Sequence, residues 1–194
     1  MNVDYFLLIV AILNVICCIW TLLFNDKKDQ SLDSLTKCHN RHYLPHVEDL
    51  ELSGEEFYVA FLDIDFFKNV NDTYGHKTGD IVLEEFAKVL KSSLKGKKDF
   101  VLRWGGEEFV LFFRVKDKKI FTEEKLLERL EFIRETIEGL EIIGENGDYI
   151  KITSSFGVCS NTDISINERI SLADISLYEA KKTGRNKIIL NKEI

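Results

Sequence analysis

Acidic residues stand at the ends of two apolar segments of this chain, where their side chains could do chemistry. Asp63 and Asp65 close the segment "EFYVAFLDID", and Glu107 and Glu108 open the segment "EEFVLFF". An ionised carboxylate beside a buried strand is unfavourable unless a cation or hydrogen-bond donors compensate it. Carboxylates that converge from neighbouring strands make an oxygen site for Mg²⁺, which prefers carboxylates together with substrate phosphates. The two segments therefore indicate phosphoryl or nucleotidyl transfer.

The same residues also suit simpler structural roles, and the sequence leaves both possibilities open. Two aspartates at a strand end can simply cap the following turn, which accounts for Asp63 and Asp65 as well as a metal does. Gly105 and Gly106 suit a two-residue hairpin turn in which both residues have positive φ. Glycines also let the backbone approach a ligand closely, so the pair fits either a plain turn or a binding site.

Basic and acidic residues elsewhere could complete a nucleotide site. Lys181 and Arg185 lie four residues apart near the end of a predicted helix, and such a pair is more often a solvated surface than a polyphosphate site. Asp80 stands in the first turn of another predicted helix, where free amide groups bind anions. An acid at that position also complements the helix dipole, which is the simpler interpretation.

Hydrophobic periodicity predicts the elements that must position these side chains. Apolar residues recur at helical spacing in some segments, and alternate or run continuously in the strand-like segments between them. The predicted helices are 40–52, 79–96, 123–140 and 167–184, and the predicted strands are 56–67, 99–115 (two strands joined at Gly105-Gly106), 149–160 and 186–190. This alternation, with a central hairpin, predicts an α/β (α+β) fold in which helices cover a mixed sheet.

The segment Tyr5–Phe24 is uncharged and almost wholly apolar, and its length matches the roughly 20 residues that cross a bilayer. A cleavable signal peptide has a basic start and a shorter apolar run, and a buried helix of a globular domain is the other alternative. Lys27 and Lys28 follow, which by the positive-inside rule places the rest of the chain in the cytoplasm. The predicted organisation is a single-pass anchor in the inner (cytoplasmic) membrane at 1–26, a linker at 27–31 and a cytoplasmic catalytic domain at 32–194.

Composition narrows the class of partner. The net charge is −7, with 33 acidic and 26 basic residues, which argues against a protein that binds nucleic acid by neutralising phosphates. We therefore expect no nucleic-acid partner. The four cysteines show no spacing typical of a zinc site or a disulfide framework.

Six segments occur in the order and spacing of a known family. The chain resembles the GGDEF domain of diguanylate cyclases, with the signature written GGEEF, over nearly everything that follows the apolar N-terminal segment. The resemblance implies the palm-like nucleotidyl cyclase fold, in which a central mixed sheet flanked by helices carries the signature on a β-hairpin. The segments are "DSLTKCHNR" (33–41), "DIDFFKNVND" (63–72), "YGHKTGDIVL" (74–83), "RWGGEEF" (103–109), "SSFGV" (154–158) and "ADISLYEAKKTGRN" (173–186).

The resemblance also implies roles for individual residues. Asp63 and Glu107 match the family's ligands for Mg²⁺ (or Mn²⁺), assisted by the backbone carbonyl of Ile64. Glu108 matches the second acid of the signature, which activity usually requires, whereas the role of Asp65 stays open between structure and chemistry. The resemblance assigns guanine recognition to Asn71 and Asp80, and phosphate contacts to Lys68, Lys181 and Arg185.

The implied reaction is the condensation of two GTP molecules into cyclic di-GMP and two pyrophosphates. Each domain of a homodimer holds one GTP, and the 3′-hydroxyl of each GTP attacks the α-phosphate of the other. The alternative is a catalytically silent GGDEF module that binds GTP or a protein partner. Because every signature position carries the residue type needed for turnover, the active enzyme is the leading hypothesis. Asp80 favours GTP over an adenine nucleotide.

The chain departs from the family pattern just before the signature hairpin. The product-inhibition site of the family is an Arg-x-x-Asp motif, and the matching stretch here is "GKKD" (96–99). Asp99 is kept, but Gly96 stands where the arginine belongs. An arginine binds phosphate and guanine in a bidentate way that lysine does not reproduce. The resemblance therefore predicts a degenerate inhibitory site and weak or absent product inhibition. In "LTKCHNR", Lys37 and Cys38 replace the family's usual Gly-Leu, which bears on the junction with the N-terminal segment.

Overall fold

The computed structural model describes residues 13–15, 31–94, 96 and 98–191. The compact unit with the predicted chemistry begins at Ser31, and its first turn leads through a short 3₁₀-helix, Arg41–Tyr43, into the first α-helix. The α-helices of this unit are α1 (Leu44–Leu52), α2 (Phe67–Tyr74), α3 (His76–Ser93), α4 (Glu123–Glu138) and α5 (Ile166–Lys182). Its strands are β1 (His39–Asn40), β2 (Glu56–Ile64), β3 (Phe100–Gly105), β4 (Glu108–Val115), β5 (Ile142–Ile143), β6 (Tyr149–Ile150), β7 (Ser154–Cys159) and β8 (Ile188–Leu190).

Six of the strands form one mixed sheet, and β5 and β6 form a separate two-stranded ribbon. The strand order in the large sheet is β1-β3-β4-β2-β7-β8. The pairs β1/β3 and β7/β8 are parallel, and the pairs in between are antiparallel. The predicted mixed sheet with a central hairpin is therefore confirmed, with β2 and β4 at its centre.

The alternation of side chains along β2 divides the apolar core into two layers. Tyr58, Ala60, Leu62 and Ile64 pack in a layer with residues of α3 and α4. Phe57, Val59 and Phe61 pack in the opposite layer with residues of α1 and α5. Helices thus cover both faces of the sheet, as the period of two along the strand predicts.

The main error of the sequence-based prediction lies just after β2. The strand is predicted to run to residue 67, and no helix is predicted between the end of this strand and residue 79. The strand ends at Ile64, because Phe66 takes a left-handed backbone conformation with φ 56° and ψ 27°. Helix α2 begins at Phe67. The predicted strand 149–160 is also interrupted, since residues 151–153 separate β6 from β7.

The signature hairpin also differs in detail from the expected two-glycine turn. Gly105 belongs to β3 and is paired with Glu108 across the hairpin. The two turn residues are Gly106 and Glu107. Of the two glycines only Gly106 has a positive φ, at 39°. The expectation that Gly105 and Gly106 are both turn residues with positive φ is therefore wrong, and the turn instead places Glu107 at its tip.

The predicted anchor and linker lie outside the described residues, apart from residues 13–15, which are helical, and Ser31. In the part of the chain that the structure describes, no helix combines the length and the apolar character needed to cross a bilayer.

Candidate nucleotide and metal site

Three of the predicted site residues, Asp63, Glu108 and Lys181, lie together at the end of β2 on the face covered by α5. Asp63 continues the series Phe57, Val59 and Phe61, so alternation directs its side chain to this face. The ladder between β2 and β4 pairs Asp63 with Glu108, and directly opposed residues of an antiparallel pair share a face. Lys181, in the last turn of α5, completes the group through an ion pair with Asp63 at 2.7 Å.

The carboxyl group of Asp63 is buried, and its surroundings disfavour the ionised form. Its side chain is 8% exposed, and burial raises its pKa to about 6, an effect that Lys181 opposes and that Glu107 and Glu108 reinforce. The negative charge of Glu107 therefore acts on Asp63, although Glu108 is its partner in the ladder. A site that disfavours the ionised form in this way is one that a cation would stabilise.

Glu108 is half-buried, and its pKa is raised. Burial is the largest cause, and Lys181 works against it while Asp174 and Glu107 add to it. A carboxyl group with a raised pKa is a better proton acceptor near neutral pH than an exposed one. The sequence identified Glu108 only as a companion of Glu107, whereas the ladder makes it the residue that faces Asp63.

Helix α5 is fixed at its N-terminus and along its middle, which determines where Lys181 lies. Ser165 and Glu168 form a capping box at its N-terminus. In its first turns Arg169, 2% exposed, donates to the carbonyl of Phe57 in β2 at 2.8 Å. Further along, the helix backbone lies directly against Gly157 of β7. These contacts carry Lys181 to the end of β2.

The two residues assigned to guanine lie on neighbouring helices. Asn71 is in α2, and Asp80 is exposed in the first turns of α3. Between them Gly79 provides the space for the Asn71 side chain, since a Cβ on Gly79 would lie 1.9 Å from Asn71 Oδ1. The sequence analysis missed Gly79, and only the helix-to-helix contact reveals it.

The three residues assigned to phosphates contact different partners. Lys181 pairs with Asp63, as described above. Lys68 is exposed and forms an i,i+4 ion pair with Asp72 at 2.7 Å, a pair worth little to stability. Arg185 follows α5 in a left-handed conformation, and its guanidinium stacks on the ring of Phe66. The structure thus brings Lys181 to the carboxylate of Asp63, whereas Lys68 contacts Asp72 and Arg185 contacts Phe66.

Asp65 has a structural role. Its carboxylate accepts hydrogen bonds from the hydroxyls of Thr153 and Ser155, each at 2.7 Å, and from the backbone amide of Asn186 at 3.0 Å. It is 5% exposed. These hydrogen bonds join the end of β2 to β7 and to the loop after α5. They answer the question that the sequence left open, which was whether Asp65 has a structural or a chemical role.

A residue that the sequence analysis did not select holds the signature turn. Arg103 donates to the carbonyl of Gly106 from Nε at 2.9 Å and from Nη2 at 2.8 Å. Its Nη1 contacts Asp33 Oδ1 at 3.0 Å. Asp33 opens the segment "DSLTKCHNR", and its carboxylate also accepts from the amide and hydroxyl of Thr36. The signal for this contact in the sequence was the segment "DSLTKCHNR". It begins with Asp33, an acid able to pair with the basic Arg103 at the hairpin.

The side chain of Asp99, the retained residue of the predicted degenerate inhibitory site, makes all its hydrogen bonds within the described part of the chain. Its carboxylate accepts from the amides of Gly96 and Arg114 at 2.9 and 3.0 Å, and from Arg129 Nη2 at 2.9 Å. Its side chain is 4% exposed. A Cβ on Gly96 would lie 2.5 Å from Asp99 Oδ1. The absence of a side chain at Gly96 is therefore what allows Asp99 to turn inward.

Replacing Gly79 with alanine should weaken nucleotide binding without loosening the helix. Alanine favours a helix by about 1 kcal/mol over glycine, but its Cβ would displace the Asn71 amide. We expect the Kd for a non-cyclising GTP analogue to rise about 10-fold, with little change in Tm. Isothermal titration measures this. In an Asn71→Ala background the same substitution should have no further effect; an equal loss there would show that Gly79 does not act through Asn71.

Stability without metal should depend on pH through Asp63. Its folded-state pKa of about 6 lies above the ordinary value of 3.8, so its stabilising contribution is present below about pH 4 and is lost as the pH rises through 6. Asp63→Asn does not titrate. In EDTA, the free energy of unfolding of Asp63→Asn relative to that of the parent should therefore increase by on the order of 1–3 kcal/mol between pH 4 and pH 7. Urea unfolding across this range checks the prediction, and a constant difference would contradict it.

Comparison with known proteins identifies the class that this fold and site define. The family described as "Diguanylate cyclase, GGDEF domain" matches residues 30–187. The chain belongs to this family. Among curated proteins it is similar to diguanylate cyclase A of Treponema denticola, with 39% identity over 82% of this chain and 44% of that protein. The chain thus spans less than half the length of this relative.

Solved structures show the same fold. The GGDEF domain of DgcB from Caulobacter crescentus, in complex with c-di-GMP, has a TM-score of 0.74 and 29% identity, covering 86% of this chain and 99% of that one. The active GGEEF domain of a diguanylate cyclase from Vibrio cholerae has a TM-score of 0.66 and 26% identity, covering 81% and 99%. The predicted GGDEF fold is confirmed by these similarities.

Proposed function

We propose that this chain is a diguanylate cyclase that condenses two GTP molecules into cyclic di-GMP and two pyrophosphates. One observation carries the proposal. In this member of the family, buried Asp63 lies opposite Glu108 in the ladder between β2 and β4 and forms an ion pair with Lys181. The negative charge of Glu107 at the turn raises the pKa of Asp63 further. Such a cluster of carboxylates with one lysine can take up both a cation and a polyphosphate.

The donor set fits a divalent metal of the Mg²⁺ or Mn²⁺ type. Asp63 and Glu107 supply carboxylate oxygens, and the carbonyl of Ile64 is the third protein ligand that the family implies. Among the residues that the structure describes, no group of three or more His, Cys, Asp or Glu side chains could hold a metal ion. The remaining ligands would therefore be water and substrate phosphates, as Mg²⁺ prefers. When bound, the metal neutralises phosphate charge.

The chain's own residues would do the rest. Lys181 would contact the triphosphate, and Lys68 and Arg185 would supply further phosphate contacts. Asn71 and Asp80 bind the guanine. Glu108 accepts the proton of the attacking 3′-hydroxyl. The new bond joins that oxygen to the α-phosphorus of the other GTP, and the bond from the α-phosphorus to the bridging oxygen breaks to release pyrophosphate.

Catalysis in this scheme needs two copies of the domain, because each supplies one GTP. The proposed homodimer is supported by the chemistry of the product. We also propose that residues 1–26 anchor the chain in the inner membrane with the domain in the cytoplasm. The apolar segment Tyr5–Phe24 and the lysines after it support this.

The purified 194-residue chain in detergent, given GTP and Mg²⁺, should form cyclic di-GMP, detected by chromatography and mass spectrometry. The specific activity should rise with protein concentration, since turnover needs a dimer. Product formation with ATP in place of GTP would contradict the assignment of guanine recognition. Undiminished GTP binding with no product at high protein concentration would favour the silent module that binds GTP or a protein partner.

Added cyclic di-GMP should not inhibit this turnover at micromolar concentration, because Asp99 is held by Gly96, Arg114 and Arg129. Initial rates of pyrophosphate release, measured over a range of added product, check the prediction. Inhibition at low micromolar product that Asp99→Ala abolishes would contradict it. Lys116→Ala is the control and should leave the rates unchanged, because Lys116 lines the same surface pocket as Asp99 but makes none of the contacts that hold it.

A further inference from the structure

Phe66 has an unfavourable conformation that the fold alone does not explain. Its φ of 56° lies in the left-handed region, which is costly for a bulky side chain and readily adopted by glycine. Its ring is 58% exposed, so it contributes little to the core. A turn between β2 and α2 could be made more favourably by a glycine at this position. The side chain must therefore have another use.

The ring of Phe66 contacts one charged group, the guanidinium of Arg185. The Arg185 Cζ lies 4.4 Å from the ring centroid, well within the range of a cation–π contact. Arg185 is half-buried. No hydrogen bond or ion pair joins its guanidinium to the residues that the structure describes. The ring thus covers one face of the guanidinium, and the N–H donors at its edge are available to an anion.

The backbone on both sides of this contact is locked. Arg185 and Asn186 have φ values of 63° and 45°, and the Arg185 amide donates to the carbonyl of Ala180 at 2.9 Å. The Asn186 amide donates to Asp65 at 3.0 Å, and its side chain receives a bond from Arg134 at 2.7 Å. Asp65, which immediately precedes Phe66, therefore connects the left-handed loop of Arg185 to the left-handed turn of Phe66.

We propose that Phe66 is a positioning residue for Arg185. The strained turn, held by Asp65, presents the aromatic ring that orients the guanidinium toward the triphosphate of GTP. The proposal rests on the proposed function, in which Arg185 contacts phosphate. It adds a residue whose side chain acts through Arg185, and it explains why a bulky residue occupies a conformation that suits glycine.

The test compares substrate binding with stability in full-length protein. Phe66→Gly relieves the left-handed strain and removes the ring. We expect its Tm to be unchanged or higher, while the Kd for 3′-deoxy-GTP with Mg²⁺ rises roughly 3- to 10-fold in isothermal titration. Phe66→Tyr keeps a ring and should bind within about 2-fold of the parent. In an Arg185→Ala background, Phe66→Gly should weaken binding no further.

Each other result counts against the proposal. An unchanged Kd in Phe66→Gly, or an equal loss in the Arg185→Ala background, would overturn it. A lowered Tm would overturn it too, because Phe66 would then be a residue of the fold. The outcome is separable from the proposed function. If the parent makes cyclic di-GMP and Phe66→Gly binds 3′-deoxy-GTP as tightly as the parent does, only the inference about Phe66 is overturned. A parent that binds 3′-deoxy-GTP through the Phe66–Arg185 pair but makes no cyclic di-GMP from GTP supports the inference and overturns the proposed function.

Discussion

Glu107→Gln is expected to reduce the formation of cyclic di-GMP by on the order of 10³-fold while the domain stays folded. Glutamine has nearly the same shape, but it carries no charge to neutralise a divalent cation. Glu107 lies at the tip of the hairpin, in a turn that Arg103 fixes through the carbonyl of Gly106. The substitution therefore leaves the turn intact and removes one of the two acids assigned to the metal.

Initial rates with GTP and Mg²⁺ measure this effect, and thermal unfolding shows that the fold is kept. Glu141→Gln, an exposed acid before β5, makes the same chemical change away from the site and should leave the rate unchanged. Turnover by Glu107→Gln near the parent rate would rule out the proposed role of this residue. A loss of turnover together with a large fall in Tm would mean that the turn itself needs the charge.

Gly157→Ala should destabilise the domain by about 3 kcal/mol or more. Gly157 lies in β7, paired with Phe61 of β2 and Ile189 of β8. A Cβ there would lie 1.9 Å from the carbonyl oxygen of Ala173 and 2.2 Å from the amide nitrogen of Leu177. Both atoms belong to the backbone of α5, so no side-chain rotation can relieve the overlap. The helix has to move away from the sheet.

The same displacement should reduce activity in any protein that still folds, because α5 carries Lys181 to Asp63. Urea unfolding gives the change in the free energy of unfolding. Gly139→Ala is the matched control, since Gly139 has φ −81° at the end of α4 and an added Cβ would meet the nearest backbone oxygen at 3.3 Å. It should cost less than about 1 kcal/mol. Equal urea midpoints for Gly157→Ala and the parent would contradict the packing argument.

The periodicity of the chain was sufficient to predict much of this architecture. The continuous apolar run of β2 and the helical stripe of α4 are patterns among neighbouring residues, so they can be read directly from the sequence. The two apolar runs that flank Gly105 and Gly106 predicted a hairpin for the same reason. Asp63 and Glu107 could be selected from the sequence because a carboxylate next to a buried apolar strand is unfavourable without a compensating partner, whatever the fold.

The details of the site depend on contacts between distant residues, and a local pattern does not contain them. Helix α2 was missed because Phe66 and Phe67 extend the apolar run of β2, as a longer strand would. The strand stops where Phe66 turns left-handed, and the preceding Asp65 is held by Thr153 and Asn186, residues far along the chain.

What the sequence determined by itself is the family, the order of the main elements and the residue types available for chemistry. Tertiary structure alone decided that Glu108 is the residue facing Asp63 and that Lys181 forms the ion pair with Asp63. It also decided that, at Gly79 and Gly157, another element lies too close for a side chain. The physical reason is that each depends on the register of a sheet or the approach of a helix. Register and approach are fixed only when the two layers of the core pack on either side of β2.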